Sequence, residues 1–423
     1  METKQIPTEK VFDSSLDLMK DGYNFIRKRC EVYKSDIFKT RVMFQSAICV
    51  SGVEAAALVY DNMHFVRKGA APRRVQKTLF GERGVQTLDD ALHRQRKEMF
   101  LSLMGAEQIS QLASITQEQW LLAASQWEGE KLIYLLDEVQ KIMCIVACQW
   151  TGVPIKSEDV PKHSKEFGSM VDAFGGVGPR HLKGKTARKS SERWIRNMIS
   201  QVRGGWLSTV PGSAMYTISF YKESGKLLDL KVAAVELINI LRPIVAIANF
   251  VVFAALAMHQ HPATQEKIIR GHENYVVWFV QEIRRFYPFT PFVGARVRDA
   301  FNWKGYHFPK GRLVLLDVYG TDRDPRKWER PEEFWPERFK NFTSGAFDFI
   351  PQDGGDDYTN HRCAGEWITI EATKVAVKFL ATCIEYKVPD QDLSIDLSRM
   401  PTFPKSHFVI TNVKVKKSVY QVI

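Results

Sequence analysis

Apolar residues recur at intervals of three and four over most of the chain, the period that gathers them on one face of an α-helix. The spacing predicts helices over residues 14–33, 92–104, 106–126, 132–152, 190–208, 233–259, 268–286 and 366–386. Two stretches follow a different rule. Residues 42–50 alternate polar and apolar side chains, and residues 292–317 are strand-like around the turn residues Trp303, Lys304 and Gly305, so both read as small sheet elements. The pattern predicts a mainly α fold with a small β region. No repeat and no Pro-, Ser- or Gly-rich linker divides the 423 residues, which predicts one large domain over 1–423.

Composition narrows the class. Hydrophobic content of 45% and charged content of 25% describe an ordinary globular protein. The longest apolar run, 244–258, is interrupted by Asn249 and falls short of the ~20 residues that span a bilayer, and residues 1–17 carry no charged-then-apolar signal pattern. The expectation is a soluble, cytoplasmic protein without a transmembrane segment. Six cysteines, Cys30, Cys49, Cys144, Cys148, Cys363 and Cys383, are too scattered for a disulfide scaffold and point to a reducing compartment. Cys144 and Cys148, four apart, read as core residues on one helix face. The net charge of +11 comes from dispersed Lys and Arg, which argues against nucleic acid as a partner. A concentration over 180–196 reads as a solvated helix face or loop.

The chemistry gathers near the C-terminus. In His361-Arg362-Cys363-Ala364-Gly365, Cys363 lies just ahead of the predicted helix 366–386. Free backbone N–H groups and the helix dipole there favour a thiolate. A thiolate in this setting suits the axial ligation of haem iron, where it favours O–O bond cleavage; the alternative is a buried structural cysteine. Glu282 and Arg285 form an E-x-x-R pair that shares one helix face. Trp335-Pro336-Glu337-Arg338-Phe339 lies between that pair and Cys363. These three motifs, in this order, resemble those of the cytochrome P-450 superfamily. The resemblance implies the P-450 fold, with haem b (iron protoporphyrin IX) between the central helix and the cysteine loop, and Cys363 as the iron ligand. Glu282, Arg285 and Arg338 would then interlock beside that loop as structural support.

Two departures from the general superfamily pattern are informative. The loop before Cys363 is longer than usual, running from Phe349-Ile350-Pro351-Gln352-Asp353-Gly354-Gly355 through residues 356–360. His361 still falls two residues before the cysteine, where it meets either a haem propionate or the loop backbone. The second departure is Arg242-Pro243 in the central helix, where reductase-dependent members carry an acid and a threonine that deliver protons to bound dioxygen. Proline removes a helical hydrogen bond and should bend the helix. An arginine in this apolar segment needs an anion: either Glu236, six residues away and on a different face, or a substrate carboxylate, which a guanidinium binds with two parallel hydrogen bonds.

Arg242-Pro243, the lengthened loop and the His-Arg-Cys ending resemble one bacterial branch, the fatty-acid peroxygenases. That resemblance implies use of hydrogen peroxide without a redox partner, and hydroxylation of long-chain fatty acids at the α or β carbon. The carboxylate held by Arg242 would act as general acid–base. Decarboxylation to terminal alkenes and reductase-dependent fatty-acid oxygenation are the alternatives. In the same resemblance Leu79 and Phe80 direct the alkyl chain, Gln86 holds the distal water or peroxide, and Phe174, Phe289 and Phe292 line the substrate channel. Glutamine at position 86, where decarboxylating relatives can carry histidine, favours hydroxylation. Arg67, His93 and Lys97 are expected at the haem propionates. Core packing for Phe80 and a solvated helix face for Lys97 are the plainer readings of those residues.

Overall fold

The computed structural model describes residues 4–272 and 274–416. Its axis is the helix Leu230–Gln260, in which every side chain from Val232 to Met258 is buried except the half-buried Pro243. A helix that is apolar all round has to be covered on all sides. Here the cover is supplied by Leu135–Thr151, Pro179–Arg203, Val160–Asp172 and Glu366–Lys378. The central helix is long and apolar enough to cross a membrane, yet 94% of its most apolar window is buried inside the protein. Asp229 starts it by accepting from the backbone N–H groups of Lys231 and Val232 at 3.0 and 3.3 Å, which satisfies two donors the helix leaves free. The helix continues without interruption through Pro243.

A five-stranded sheet stands beside this helical core, in the order Ile37–Val42, Gln45–Ser51, Leu313–Asp317, Phe292–Val297, Phe65–Val66. Leu313–Asp317 runs parallel to Gln45–Ser51, and the other neighbours are antiparallel. The stretch 42–50, read as one strand, is the turn and second arm of a hairpin. Met43 and Phe44 both take left-handed φ, 53° and 60°, and reverse the chain. The turn expected at Lys304-Gly305 is present and joins Phe301–Trp303 to Tyr306–Phe308. A second sheet, Ile384–Lys387, Val409–Val415 and Ile133–Tyr134, closes the far side.

Several predicted helices need correction. The segment 268–286 is broken by left-handed backbone at Gly271 and Asn274, so Pro262–Ile269 and Tyr275–Phe286 are separate helices; residue 273 lies outside the described residues. The segment 366–386 is helical only to Lys378, then widens into a π-turn at Phe379–Cys383 and becomes the strand Ile384–Lys387. Residues 190–208 are the second half of a helix that begins at Pro179, and Val160–Asp172 was not foreseen at all. Those two helices pack closely at Gly184, where an added Cβ would stand 2.2 Å from the Cβ of Ala173.

Candidate active site

Cys363 sits at the end of a loop that the chain builds carefully. Its N–H donates to the Gln352 carbonyl at 3.0 Å, and its carbonyl accepts from Glu366 N–H at 3.2 Å. Gln352 is held at both ends of its side chain, accepting from Arg284 Nε at 3.0 Å and donating to Thr369 Oγ1 at 3.1 Å. Arg284 also reaches Glu366 at 2.5 Å, and Arg362 meets the same carboxylate at 2.8 Å. The extra residues 356–360 support themselves. Asp356 accepts from the backbone N–H groups of Tyr358 and Thr359, while Asn360 donates to the Tyr60 carbonyl at 2.6 Å. Burial pushes the Cys363 thiol up, and the Gly365 N–H and Lys97 pull it down without prevailing. The helix N-terminus therefore does not by itself secure the thiolate.

Glu282, Arg285 and Arg338 interlock as expected. The fully buried Glu282 carboxylate takes Arg285 Nε and Nη2, both at 2.8 Å, with Arg338 at 3.1 Å and the Trp335 N–H at 2.9 Å. Arg285 spends its remaining donors on the carbonyls of Asp322, Pro331 and Glu333. The network joins the helix Tyr275–Phe286 to the segment before the cysteine loop, so its role is structural.

Arg67, His93, Lys97 and His361 are brought together on one side of that loop. The His93 and His361 rings lie 3.9 Å apart. Arg67 donates to the Gly294 carbonyl at 2.7 Å, but its Nη2 is buried without a hydrogen-bond partner. Lys97 is not on a solvated face; it is 4% exposed and donates to the carbonyls of Arg362 and, at 3.2 Å, Asn360. Burial, with Lys97 and Arg67 nearby, pushes the His93 imidazole down to about 4. Burial and the same cations hold His361 well below its ordinary value. Four basic groups thus crowd one place with an orphaned guanidinium nitrogen among them. An anion is the missing partner, and the propionates of an iron porphyrin fit this cradle, with Cys363 on the loop beside it.

The opposite wall is made by the central helix and residues 79–86. Arg242 is 7% exposed, its Nε has no partner, and no carboxylate answers it. Burial, with Arg188 nearby, pushes the guanidinium down to about 9. Glu236, the internal candidate, is committed elsewhere, to Arg96 at 2.5 Å and Asn239 at 3.1 Å. Pro243, having no N–H, leaves the Asn239 carbonyl without its helical donor. Gln86 accepts from Asn239 Nδ2 at 3.2 Å. Leu79 and Phe80, both half-buried, close a π-turn over Gln76–Phe80, and the Leu79 carbonyl accepts from Arg188 at 2.9 Å. Phe289 stacks near Phe250 of the central helix at 4.8 Å between ring centres. Phe174 and Phe292 pack together around Tyr23, Tyr319 and Met400, further from Arg242 in the chain's packing.

Arg188, Asn239 and Arg284 were missed as site residues. Arg188 lies within the basic stretch read as a solvated face or loop, yet it is 3% exposed. Its phase was the available signal, because Gly184, Arg188, Ser191, Ile195, Ile199 and Val202 share the buried face at helical spacing. Arg284 and Asn239 act through partners remote in sequence and left no local mark.

Fold, cysteine loop and basic cradle together define a haem-thiolate oxidoreductase. Residues 258–366 match the cytochrome P450 family model. Curated relatives include ent-cassadiene hydroxylase of Oryza sativa subsp. japonica, 31% identical over 30% of this chain, and cytochrome P450 4e5, mitochondrial, of Drosophila mettleri, 27% identical over 32%. The aligned parts span 25% and 29% of those proteins. Solved structures match over nearly the whole chain. Cytochrome P450EX alpha (CYP152N1) with myristic acid is 42% identical, covers 98% of this chain and 100% of its own, and has a TM-score of 0.95. For cytochrome P450SP alpha (CYP152B1) the values are 40%, 96%, 99% and 0.94. For cytochrome P450 OleT in complex with arachidonic acid they are 34%, 98%, 99% and 0.95. The chain belongs to the CYP152 branch of the cytochrome P450 superfamily.

Proposed function

We propose that this protein is a peroxygenase that uses hydrogen peroxide to hydroxylate long-chain fatty acids at the α or β carbon, without a redox partner. The observation that carries the proposal is Arg242, a buried guanidinium on the central helix with no carboxylate of the chain to meet it. Leaving such a charge unpaired costs several kcal/mol, of the order measured when one partner of a buried pair is removed. A fatty-acid carboxylate would remove that cost and gain two charge-assisted hydrogen bonds. The fatty acids bound to CYP152N1 and OleT support the same substrate class.

Bound in the cradle of Arg67, His93, Lys97 and His361, haem b would supply an oxidising iron, made electron-rich by the Cys363 sulfur for O–O cleavage. The chain's own residues do the rest. Arg242 fixes the carboxylate, so only the C–H bonds nearest the head group come within reach. Arg242-Pro243 offers no carboxyl and no hydroxyl for proton delivery, so the substrate carboxylate takes that part and moves the proton between the two oxygens of the peroxide. Gln86 holds the oxidant, and Phe80 with Leu79 directs the alkyl chain. Glutamine at position 86 favours hydroxylation over loss of the carboxyl group.

Styrene tests the substrate-assisted step, since it has no carboxylate of its own. Peroxide-driven oxidation of styrene is expected to be slow alone and to accelerate when acetate is added. A rate indifferent to acetate contradicts the assisted mechanism.

A further inference from the structure

A buried carboxylate fixes which way two amides point on the Arg242 side of the site. Arg96 pairs with Glu236 at 2.5 Å and with Glu223 at 2.5 Å, so Glu236 is anchored as an anion. An ionised carboxylate accepts hydrogen bonds and cannot donate them. The Asn239 atom that meets it at 3.1 Å must therefore be the amide nitrogen. That same Nδ2 donates to Gln86 Oε1 at 3.2 Å. Both Asn239 hydrogens and the Gln86 oxygen are then engaged. Two groups of opposite character remain: Asn239 Oδ1, a buried acceptor with no partner, and the Gln86 amide nitrogen, a donor with no bond to any described residue.

Asn239 is 7% exposed and precedes Arg242 by three residues, on the same face of the central helix. A buried acceptor left empty costs about 1–3 kcal/mol, so Oδ1 calls for a ligand that carries hydrogen. A fatty-acid carboxylate suits Arg242 and cannot serve Asn239, having no hydrogen to give. Hydrogen peroxide offers two O–H donors and oxygen lone pairs, which matches one acceptor beside one donor.

We infer that Asn239 Oδ1 and Gln86 Nε2 form the peroxide subsite, with Glu236 as the positioning residue that sets its polarity. Peroxide donates one O–H to Asn239 and accepts from Gln86, one helical turn from the carboxylate on Arg242. The inference rests on the peroxygenase reading and adds to it a separate place for the oxidant.

The test uses the haem-loaded enzyme with myristate, comparing wild type with Asn239→Leu and Glu236→Gln. The first variant removes the acceptor; in the second, a neutral amide facing Asn239 can donate to Oδ1 and turn the asparagine over. Both are expected to raise KM for hydrogen peroxide about tenfold, the worth of one hydrogen bond to a buried partner. Myristate affinity, read from the substrate-induced shift of the haem absorption band, should stay within about twofold. A crystal structure of the substrate-free holoenzyme should show an ordered water bonded to both Asn239 Oδ1 and Gln86 Nε2. Unchanged KM for peroxide in both variants, parallel loss of myristate binding, or an unhydrated Oδ1 overturns the subsite. A wild type that gives no product with peroxide overturns the underlying function instead, and the two failures are distinguished in the same experiment.

Discussion

Replacing Arg242 by leucine should move stability and substrate affinity in opposite directions. Burial pushes the Arg242 guanidinium down to about 9, which corresponds to a charging cost of roughly 4–5 kcal/mol in the absence of an anion. Leucine removes that cost, loses some packing of the arginine stem, and leaves no polar atom behind. The holoenzyme without fatty acid is expected to gain about 1–3 kcal/mol, the range seen when apolar residues replace poorly compensated buried charge. Thermal unfolding followed at the haem absorption band would show this as a rise of a few degrees. Myristate affinity should fall by about 2–5 kcal/mol, the cost of losing a buried charge-paired hydrogen bond. That is a weakening between about thirtyfold and a few thousandfold. Most fatty-acid hydroxylation should be lost while haem is retained. An arginine kept only for structure would behave differently, with the variant less stable and still able to bind myristate. That pair of results would refute the anchoring argument.

Three further outcomes follow from other parts of the structure. Gly81 has φ of 79°, and a Cβ there would stand 2.2 Å from Arg188 Nη2 and 2.5 Å from a Val235 methyl, so Gly81→Ala should displace Phe80 and change the α:β product ratio measured with myristate. Arg284→Leu strands the Glu366 carboxylate and frees Gln352, which carries the backbone acceptor for Cys363. About 3–5 kcal/mol of destabilisation is expected, with weakened haem retention on gel filtration. Burial raises the carboxyls of Asp317 and Asp322 to about 7. The folded protein then binds more protons than the unfolded chain between pH ~4 and ~7, so stability should fall as pH rises through that window and level off above it. Urea midpoints for Asp317→Asn, which cannot lose a proton, should decline less steeply over the same range.

Much of the fold was legible because periodicity survives wherever a helix is long and one face is buried. The central helix was read at 233–259 and found at Leu230–Gln260. The misses have identifiable causes. In 366–386 the apolar positions persist past Lys378 although the backbone widens and then extends, and periodicity alone does not register that change. In 179–189 dense charge and Gly184 hid a helix whose glycine exists to let Ala173 approach. The site was legible where it is written in contiguous motifs: Cys363, the Glu282–Arg285 pair, and Arg242 standing alone in an apolar run. Its supports were not, because Arg96, Arg188 and Arg284 meet their partners across 140, 109 and 82 residues of chain. Nothing local distinguishes such arginines from those on the surface. The partial match to the family model makes the same division. It covers 258–366, the scaffold on the cysteine side, and stops short of the Arg242 region that sets this branch apart.

The most direct test of the account is mass spectrometry of the products from purified holoenzyme, myristate and hydrogen peroxide, with no nicotinamide cofactor or electron carrier present. Formation of 2- or 3-hydroxymyristate is the expected result. A strict requirement for NAD(P)H and carriers, or oxidation far from the carboxyl end, would contradict both the oxidant and the role assigned to Arg242.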